Sequence, residues 1–228
     1  MPAPDLVIFD CDGVLVDSEI VAARADAELL TKAGFPIEPE ELAERYAGMT
    51  FRNILLEIEK EASIPFQASL IDEEQKLVDK RLAREVKAID GAREAVAMTQ
   101  SKRCVCSNSS KARLELMLTK TGILPLFSGN IFSAVDTPEV NPKPAPDIYL
   151  HAARQMQADP AKTFVIEDSV HGVNGARAAG MRVIGFTGAS HSWPGHADAL
   201  TEAGAETVIH RLSDLQGVVA ALSEWSDD

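Results

Sequence analysis

Residues 18 to about 88 contain no strand-like run, whereas short apolar runs alternate with helical stretches in the rest of the chain. That single long interruption leaves few architectures open. Before it stands Leu6-Val7-Ile8-Phe9 between Asp5 and Asp10, an apolar run bounded by charges, which predicts a buried strand. Within it, Ser18 and Glu19 start a helix through Ile20 to Lys32 that Gly34 stops. Pro39-Glu40-Glu41 opens a second helix, Phe51 to Ala62 forms a third and Asp72 to Val86 a fourth. After it come a helix over 91–100, a strand over 103–106, and a helix capped by Ser110 and closed by Gly122. A strand over 131–134 and a helix over 147–156 follow, then a strand over 163–166 and a helix over 170–179 ended by Gly180. The run closes with strands over 182–186 and 207–209 and a helix over 212–222. Strands alternating with helices imply a parallel sheet covered on both faces. The expected fold is therefore α/β, a doubly wound parallel sheet formed by residues 1–17 and 89–228. A small all-helical unit, residues 18–88, is inserted after its first strand.

Charge narrows the function. Lys and Arg number 22 against 35 Asp and Glu, a net charge of −13 over 228 residues. Nucleic-acid binders draw their affinity from cations on phosphates, so that class is excluded, as is an anionic membrane surface. No apolar run approaches the roughly 20 residues that span a bilayer. The start, Met1-Pro2-Ala3-Pro4-Asp5, has no basic secretory n-region, and the expected location is cytoplasmic. Cys11, Cys104 and Cys106 do not make a disulfide framework; they read as small buried hydrophobes.

In doubly wound sheets the ligand sits beyond the carboxyl ends of the strands. After the first strand stand Asp10-Cys11-Asp12-Gly13. Side chains two apart on an extended chain point the same way, so Asp10 and Asp12 face one crevice and Cys11 points into the fold. After the second stand Ser107-Asn108-Ser109, hydroxyl and amide groups at a helix start, where free backbone N–H groups suit an anion. After Phe164-Val165-Ile166 stand Glu167-Asp168-Ser169. Four acids in one crevice repel one another and need a counter-charge. Only oxygen ligands are on offer, which fits hard Mg²⁺. Lys143, between Pro142 and Pro144, supplies a fixed positive point for a phosphate or for Asp10.

These residues carry a resemblance. The stretch Phe9-Asp10-Cys11-Asp12-Gly13-Val14-Leu15-Val16-Asp17-Ser18-Glu19 resembles the first motif of the haloacid dehalogenase superfamily, phosphatase branch. Ser107-Asn108 resembles the second motif and Lys143-Pro144-x-Pro146-Asp147 the third. Glu167-Asp168-Ser169, followed by Gly172 and Ala179-Gly180-Met181, resembles the fourth. All four stand in family order, and the helical insert lies where the family's small cap lies. The resemblance implies a nucleophilic Asp10 that forms a phosphoaspartate, with Asp12 as acid and then base. It implies Mg²⁺ held by Asp10, the Asp12 carbonyl and Asp168, with Glu167 as an outer or alternate ligand. Ser107, Asn108 and Lys143 would hold phosphoryl oxygens. Gly48 to Arg52 resembles the family's substrate-specificity loop, so Arg52 is expected to meet the substrate. His191, Trp193 and His196 read as a surface loop containing Pro and Gly.

The implied function is Mg²⁺-dependent hydrolysis of a small phosphorylated metabolite, a sugar phosphate or sugar-acid phosphate. The pattern is similar to that of bacterial sugar-phosphate phosphatases of the 6-phosphogluconate type. A β-phosphoglucomutase-type mutase is the alternative. However, its pattern carries a His where Ala22 stands, and Thr-Asp-Thr where Val16-Asp17-Ser18 stands. A dehalogenase proper lacks the second aspartate. A non-catalytic phosphate-binding or receiver-like switch is the alternative from another class, but receivers are shorter and have no helical insert. Oligomeric state is not readable.

Overall fold

A computed structural model of the protein describes residues 3–46, 51–62 and 69–224. Strand β1 (Leu6–Phe9) is followed by four helices: α1 (Glu19–Lys32), α2 (Pro39–Arg45), α3 (Phe51–Ala62) and α4 (Ser69–Glu85). The chain then runs through α5 (Ala92–Met98), β2 (Lys102–Ser107), α6 (Lys111–Lys120), β3 (Ile131–Ser133) and α7 (Asp147–Met156). It ends with β4 (Thr163–Glu167), α8 (Val170–Ala178), β5 (Arg182–Phe186), α9 (His196–Glu202), β6 (Thr207–Ile209) and α10 (Leu215–Glu224). The six strands form one sheet in the order β3-β2-β1-β4-β5-β6, and all neighbours are parallel.

The strands are short and apolar on both sides because helices cover both faces. Val7, Phe9, Val105, Phe164 and Ile166 enter one core layer. Their neighbours Leu6, Ile8, Cys104, Cys106 and Val165 enter the other. Alternation along an extended chain dictates this division. It also places Cys104 and Cys106 on one buried face, as expected, each a free thiol. The helical insert has a cluster of its own, built on Ala23, Leu30, Ile37, Leu42, Ile54 and Ile58. Burying side chains of this size stabilises by about 1.5–3 kcal/mol each.

The chain leaves the sheet for the insert and returns side by side. Val16 bridges antiparallel to Ala88, the Asp17 N–H donates to the Lys87 carbonyl at 3.0 Å, and the Ile89 N–H to that of Leu15 at 3.0 Å. Ser190 donates to the Asp17 carboxylate from its hydroxyl and, at 3.2 Å, from its backbone N–H. The loop after β5 is thereby tied to the crossing point.

Three local readings change. Ser18 precedes α1 but makes no side-chain cap, because its hydroxyl is drawn to Asp12. Helix α4 starts at Ser69, ahead of its first acidic residue. Residues 196–202 form helix α9 rather than a loop; Gly195 at φ 90 turns the chain into it and Leu200 is buried beneath it. Of the segment expected to meet substrate, Gly48, Met49 and Thr50 lie outside the described residues, and Arg52 is exposed in the first turn of α3.

Candidate active site

Sheet register assembles the site. Phe9 lies opposite Val105 and Ile166, so Asp10 emerges level with Cys106 and Glu167. Into this gap reaches Lys143, from the loop that enters α7 through a cis peptide to Pro144. Its ammonium donates to Asp10 Oδ1 at 2.5 Å, Glu167 Oε1 at 2.6 Å and the Cys106 carbonyl at 2.9 Å. All three ammonium hydrogens are thus committed. Burial alone would lower the Lys143 pKa, but Asp10 and Glu167 outweigh it and hold it well above the ordinary lysine value.

Glu167 is fully buried and has a donor for every direction. Oε1 takes Lys143 and the Tyr149 hydroxyl at 2.8 Å; Oε2 takes the Ser169 N–H at 3.2 Å and hydroxyl at 3.0 Å. The Ser169 hydroxyl also caps α8 by accepting from the Gly172 N–H. Gly172 is required here, since a Cβ would stand 2.0 Å from the Glu167 carboxyl carbon.

Asp12 is held by three hydroxyls. Ser18 donates to Oδ1 at 2.7 Å, while Ser107 at 3.2 Å and Ser109 at 2.9 Å donate to Oδ2. One of these donors ends β2, one stands two residues after it, and the third stands where the chain enters the insert.

Asp168 closes the group. Its Oδ2 meets His191 Nε2 at 3.1 Å, and its backbone carbonyl accepts from His196 Nε2 at 2.7 Å. Burial holds the His196 pKa below the ordinary histidine value. The neutral ring therefore carries its hydrogen on Nε2, and Nδ1 accepts from the Ser192 hydroxyl at 3.2 Å. Trp193 stacks on the ring at 3.8 Å between centroids. Gly13, at φ +76, lets the backbone pass close to Asp168, because a Cβ there would lie 1.9 Å from Oδ2.

Asp10, Glu167 and Asp168 bring one oxygen each within 4.8 Å of one another. Burial, set against Lys143, and then the neighbouring acids push the Asp10 carboxyl well above the ordinary range. Burial and Glu167 do the same to Asp168. One ammonium cannot offset four carboxyls, and all the ligand atoms in the group are oxygens. This donor set fits a hard divalent cation. Because both oxygens of Glu167 are occupied, Asp10 and Asp168 are the carboxylates free to hold one.

The expected residues thus converge, with two distinctions. Asn108 accepts from the Lys143 N–H at 2.9 Å and clamps the backbone that carries the ammonium. Arg52 stands exposed on α3, and none of the strand-end hydrogen bonds or ion pairs named above involves it. The sequence reading missed Tyr149, read Ser18 as a helix start and Ser109 as part of an anion-binding helix start rather than as donors to Asp12, and took His191, Trp193 and His196 for a surface loop. His196 is instead 1% exposed and bonded to Asp168. Its sequence signal was weak: an aromatic and two histidines in six residues that also hold Pro194 and Gly195.

An all-parallel α/β sheet with carboxylates and a buried lysine at its strand ends defines a class of hydrolase, and comparison with known proteins agrees. Residues 4–180 match the family of haloacid dehalogenase-like hydrolases. The chain belongs to that family. It is 33% identical over 213 residues to the phosphorylated carbohydrates phosphatase of Thermotoga maritima, covering 90% of this chain and 94% of that one. It is 29% identical over 191 residues to the 6-phosphogluconate phosphatase of Escherichia coli K12, covering 83% and 86%. A crystal structure of a haloacid dehalogenase-like protein from Agrobacterium tumefaciens superposes with a TM-score of 0.92. It is 59% identical, and the match covers 97% of this chain and all of that one.

Proposed function

We propose that this protein is a Mg²⁺-dependent phosphatase that hydrolyses a small phosphorylated metabolite, a sugar phosphate or sugar-acid phosphate, through a phosphoaspartate on Asp10. The observation that carries this reading is the buried Asp10–Lys143–Glu167 arrangement, with Asp12 two residues along the same chain. Similarity to relatives named as phosphatases of phosphorylated carbohydrates supports it.

In this reading an Asp10 carboxylate oxygen attacks phosphorus and the ester oxygen departs, taking a proton from Asp12. Water then attacks the phosphoaspartate, Asp12 takes its proton, and inorganic phosphate leaves with Asp10 regenerated. Ser18, Ser107 and Ser109 keep Asp12 aimed at the departing oxygen. Lys143 holds Asp10 in place and offers positive charge beside the reacting oxygens, with Asn108 fixing its backbone. Ser107, Asn108 and Arg52 are proposed substrate contacts. Asp10, the Asp12 carbonyl and Asp168 would hold Mg²⁺, with Glu167 outside them; the ion would supply charge neutralisation at the phosphoryl oxygens. His191 and His196 orient Asp168. Residues 18–88 act as a cap over a core of 1–17 and 89–228, closing on the crossing at Val16–Ala88 and excluding water. Among the described residues no helix is long and apolar enough to cross a membrane, and a cytoplasmic location is part of the proposal.

The test is phosphate release from a panel of sugar phosphates with Mg²⁺ and with EDTA. Release that EDTA abolishes and Mg²⁺ restores is expected. Release indifferent to EDTA overturns the metal assignment, and no release from any ester overturns the reading.

A further inference from the structure

The loop between β5 and α9 holds two things at once. Its turn is closed by the Ser192 N–H on the Ala189 carbonyl at 3.1 Å, with Ser190 and His191 as the central residues. Ser190 donates to the Asp17 carboxylate from its hydroxyl and its backbone N–H. His191 Nε2 lies 3.1 Å from Asp168 Oδ2. Neighbouring residues of one turn therefore grip the crossing of the insert and a carboxylate of the strand-end group. The loop is anchored on both sides of that turn, by the Thr187 N–H on the Ile209 carbonyl at 3.0 Å and by His196 on the Asp168 carbonyl.

The grip on Asp168 depends on the grip on Asp17. His191 Nδ1 is buried and has no hydrogen-bond partner among the described residues. A bond on that second nitrogen would aim the ring by itself. Without one, the ring is set by what it packs against and by the turn that carries it. It packs against Gly13, where an added Cβ would lie 2.8 Å from His191 Cε1, and beside the His196 ring at 5.9 Å between centroids.

Asp17 stands where the insert leaves the sheet. Val16 before it bridges Ala88 of the returning chain, its own N–H donates to the Lys87 carbonyl at 3.0 Å, and Ser18 after it donates to Asp12. A shift of the crossing moves Asp17, hence Ser190 and the turn, hence His191 against Asp168.

We propose that Asp17 and Ser190 are positioning residues for Asp168, acting through His191, and that they make divalent-cation binding and the setting of the insert depend on each other. The proposal rests on the reading of Asp168 as a metal ligand and deepens it. Such a coupling is reciprocal: the cation steadies the crossing to the extent that the crossing favours the cation.

The test uses the substrate-free protein and Mn²⁺, which takes the same oxygen ligands as Mg²⁺ and whose free ion is counted by electron paramagnetic resonance. Ser190→Ala is expected to raise the Mn²⁺ Kd about fivefold, and Asp17→Ala, which removes both bonds, at least as much. Ser190→Thr keeps the hydroxyl and should stay within about twofold of wild type. His191→Ala should weaken binding about tenfold or more, and adding Asp17→Ala to it should cost less than about a further twofold. Hydrogen exchange reads the other direction. Mn²⁺ should slow exchange of the amides of residues 17–22 and 87–89 in the wild type by about threefold or more, and not in Ser190→Ala. Thermal unfolding in EDTA accompanies each variant, since a merely structural role would lower its midpoint and leave Kd unmoved. An unchanged Kd in Asp17→Ala, a full further loss on top of His191→Ala, or wild-type exchange indifferent to Mn²⁺ overturns the proposal alone. Absence of Mn²⁺ binding by the wild type overturns the metal assignment and the proposal with it.

Discussion

The carboxyl ends of β1, β2 and β4 and the middle of α1 both bury carboxyl groups, and they treat them in opposite ways. At the strand ends, three hydrogens of Lys143 meet three acceptors and two oxygens of Glu167 meet four donors. On α1, Asp26 Oδ1 has no partner among the described residues. The difference follows from what positions each group. Parallel-sheet register fixes the strand ends relative to one another before any ligand arrives, and charge placed in advance is what transition-state stabilisation requires. Asp26 is carried by a helix of the insert, and no partner among the described residues completes the bonding of its Oδ1. Removing the cation or displacing Glu167 at the strand ends should therefore cost both chemistry and stability, and the change on α1 should cost neither in the absence of substrate.

The largest effect is expected at Asp10. Asp10→Asn is nearly isosteric, but the amide is not a nucleophile, so phosphate release should fall by about 10⁴-fold or more. Thermal unfolding should shift by only a few degrees. A variant that keeps a tenth of the activity would remove the phosphoaspartate from the proposal.

Lys143→Met separates charge from chemistry. It leaves Asp10 and Glu167 buried and facing each other without their cation, a loss expected to destabilise by about 3–5 kcal/mol in urea unfolding. Lys143→Arg should not restore it, because a planar guanidinium does not present three hydrogens to Asp10, Glu167 and the Cys106 carbonyl. A stability within 1 kcal/mol of wild type, on the order of a surface ion pair, would mean that the lysine is not the keystone of the strand ends.

Gly172→Ala tests the same region through sterics. Its Cβ would collide with the Glu167 carboxyl, so Glu167 must move off Lys143 and Tyr149. A loss of about 2–4 kcal/mol is expected, with activity falling alongside it. Gly217→Ala in α10 is the control: nothing lies within 4 Å of its added Cβ, and it should be neutral or stabilise by up to about 1 kcal/mol.

What was legible in the sequence divides along the same line. A buried parallel strand reads as an unbroken apolar run, and the residue after it points into the crevice; β1 and the placement of Asp10 and Asp12 follow from Leu6–Phe9 alone. The same rule finds Glu167 and Asp168. Tyr149 was hidden because an aromatic on the apolar stripe of α7 looks like core until its hydroxyl is seen on Glu167. His191 and His196 were hidden because their partner is Asp168, well before them in the chain, and because Pro194 and Gly195 mask the start of α9. Asn108 matched a phosphate-contact pattern, and only three-dimensional proximity ties its side chain to the Lys143 backbone. Asp26 looks like any solvated charge on an Ala-rich helix until burial is known.

The smallest effect is the one that most sharpens the contrast. In the native state burial moves the Asp26 carboxyl from 3.8 to about 8. A carboxyl whose folded pKa is raised favours folding while it stays protonated. Its contribution is full below about pH 4 and declines as pH rises, and it is lost once pH passes the folded value near 8. The linkage ceiling for such a shift is ~6 kcal/mol, of which local relaxation and water entry leave about 1–3 kcal/mol. Asp26→Asn has no proton to lose there. Measured by urea unfolding without substrate, the variant should match the wild type near pH 4 and exceed it by about 1–3 kcal/mol at pH 9. A variant less stable than wild type at pH 9 would mean that the carboxylate has a partner in the native state. Asp26 would then belong with the self-satisfied groups at the strand ends, and the two regions would no longer differ in kind.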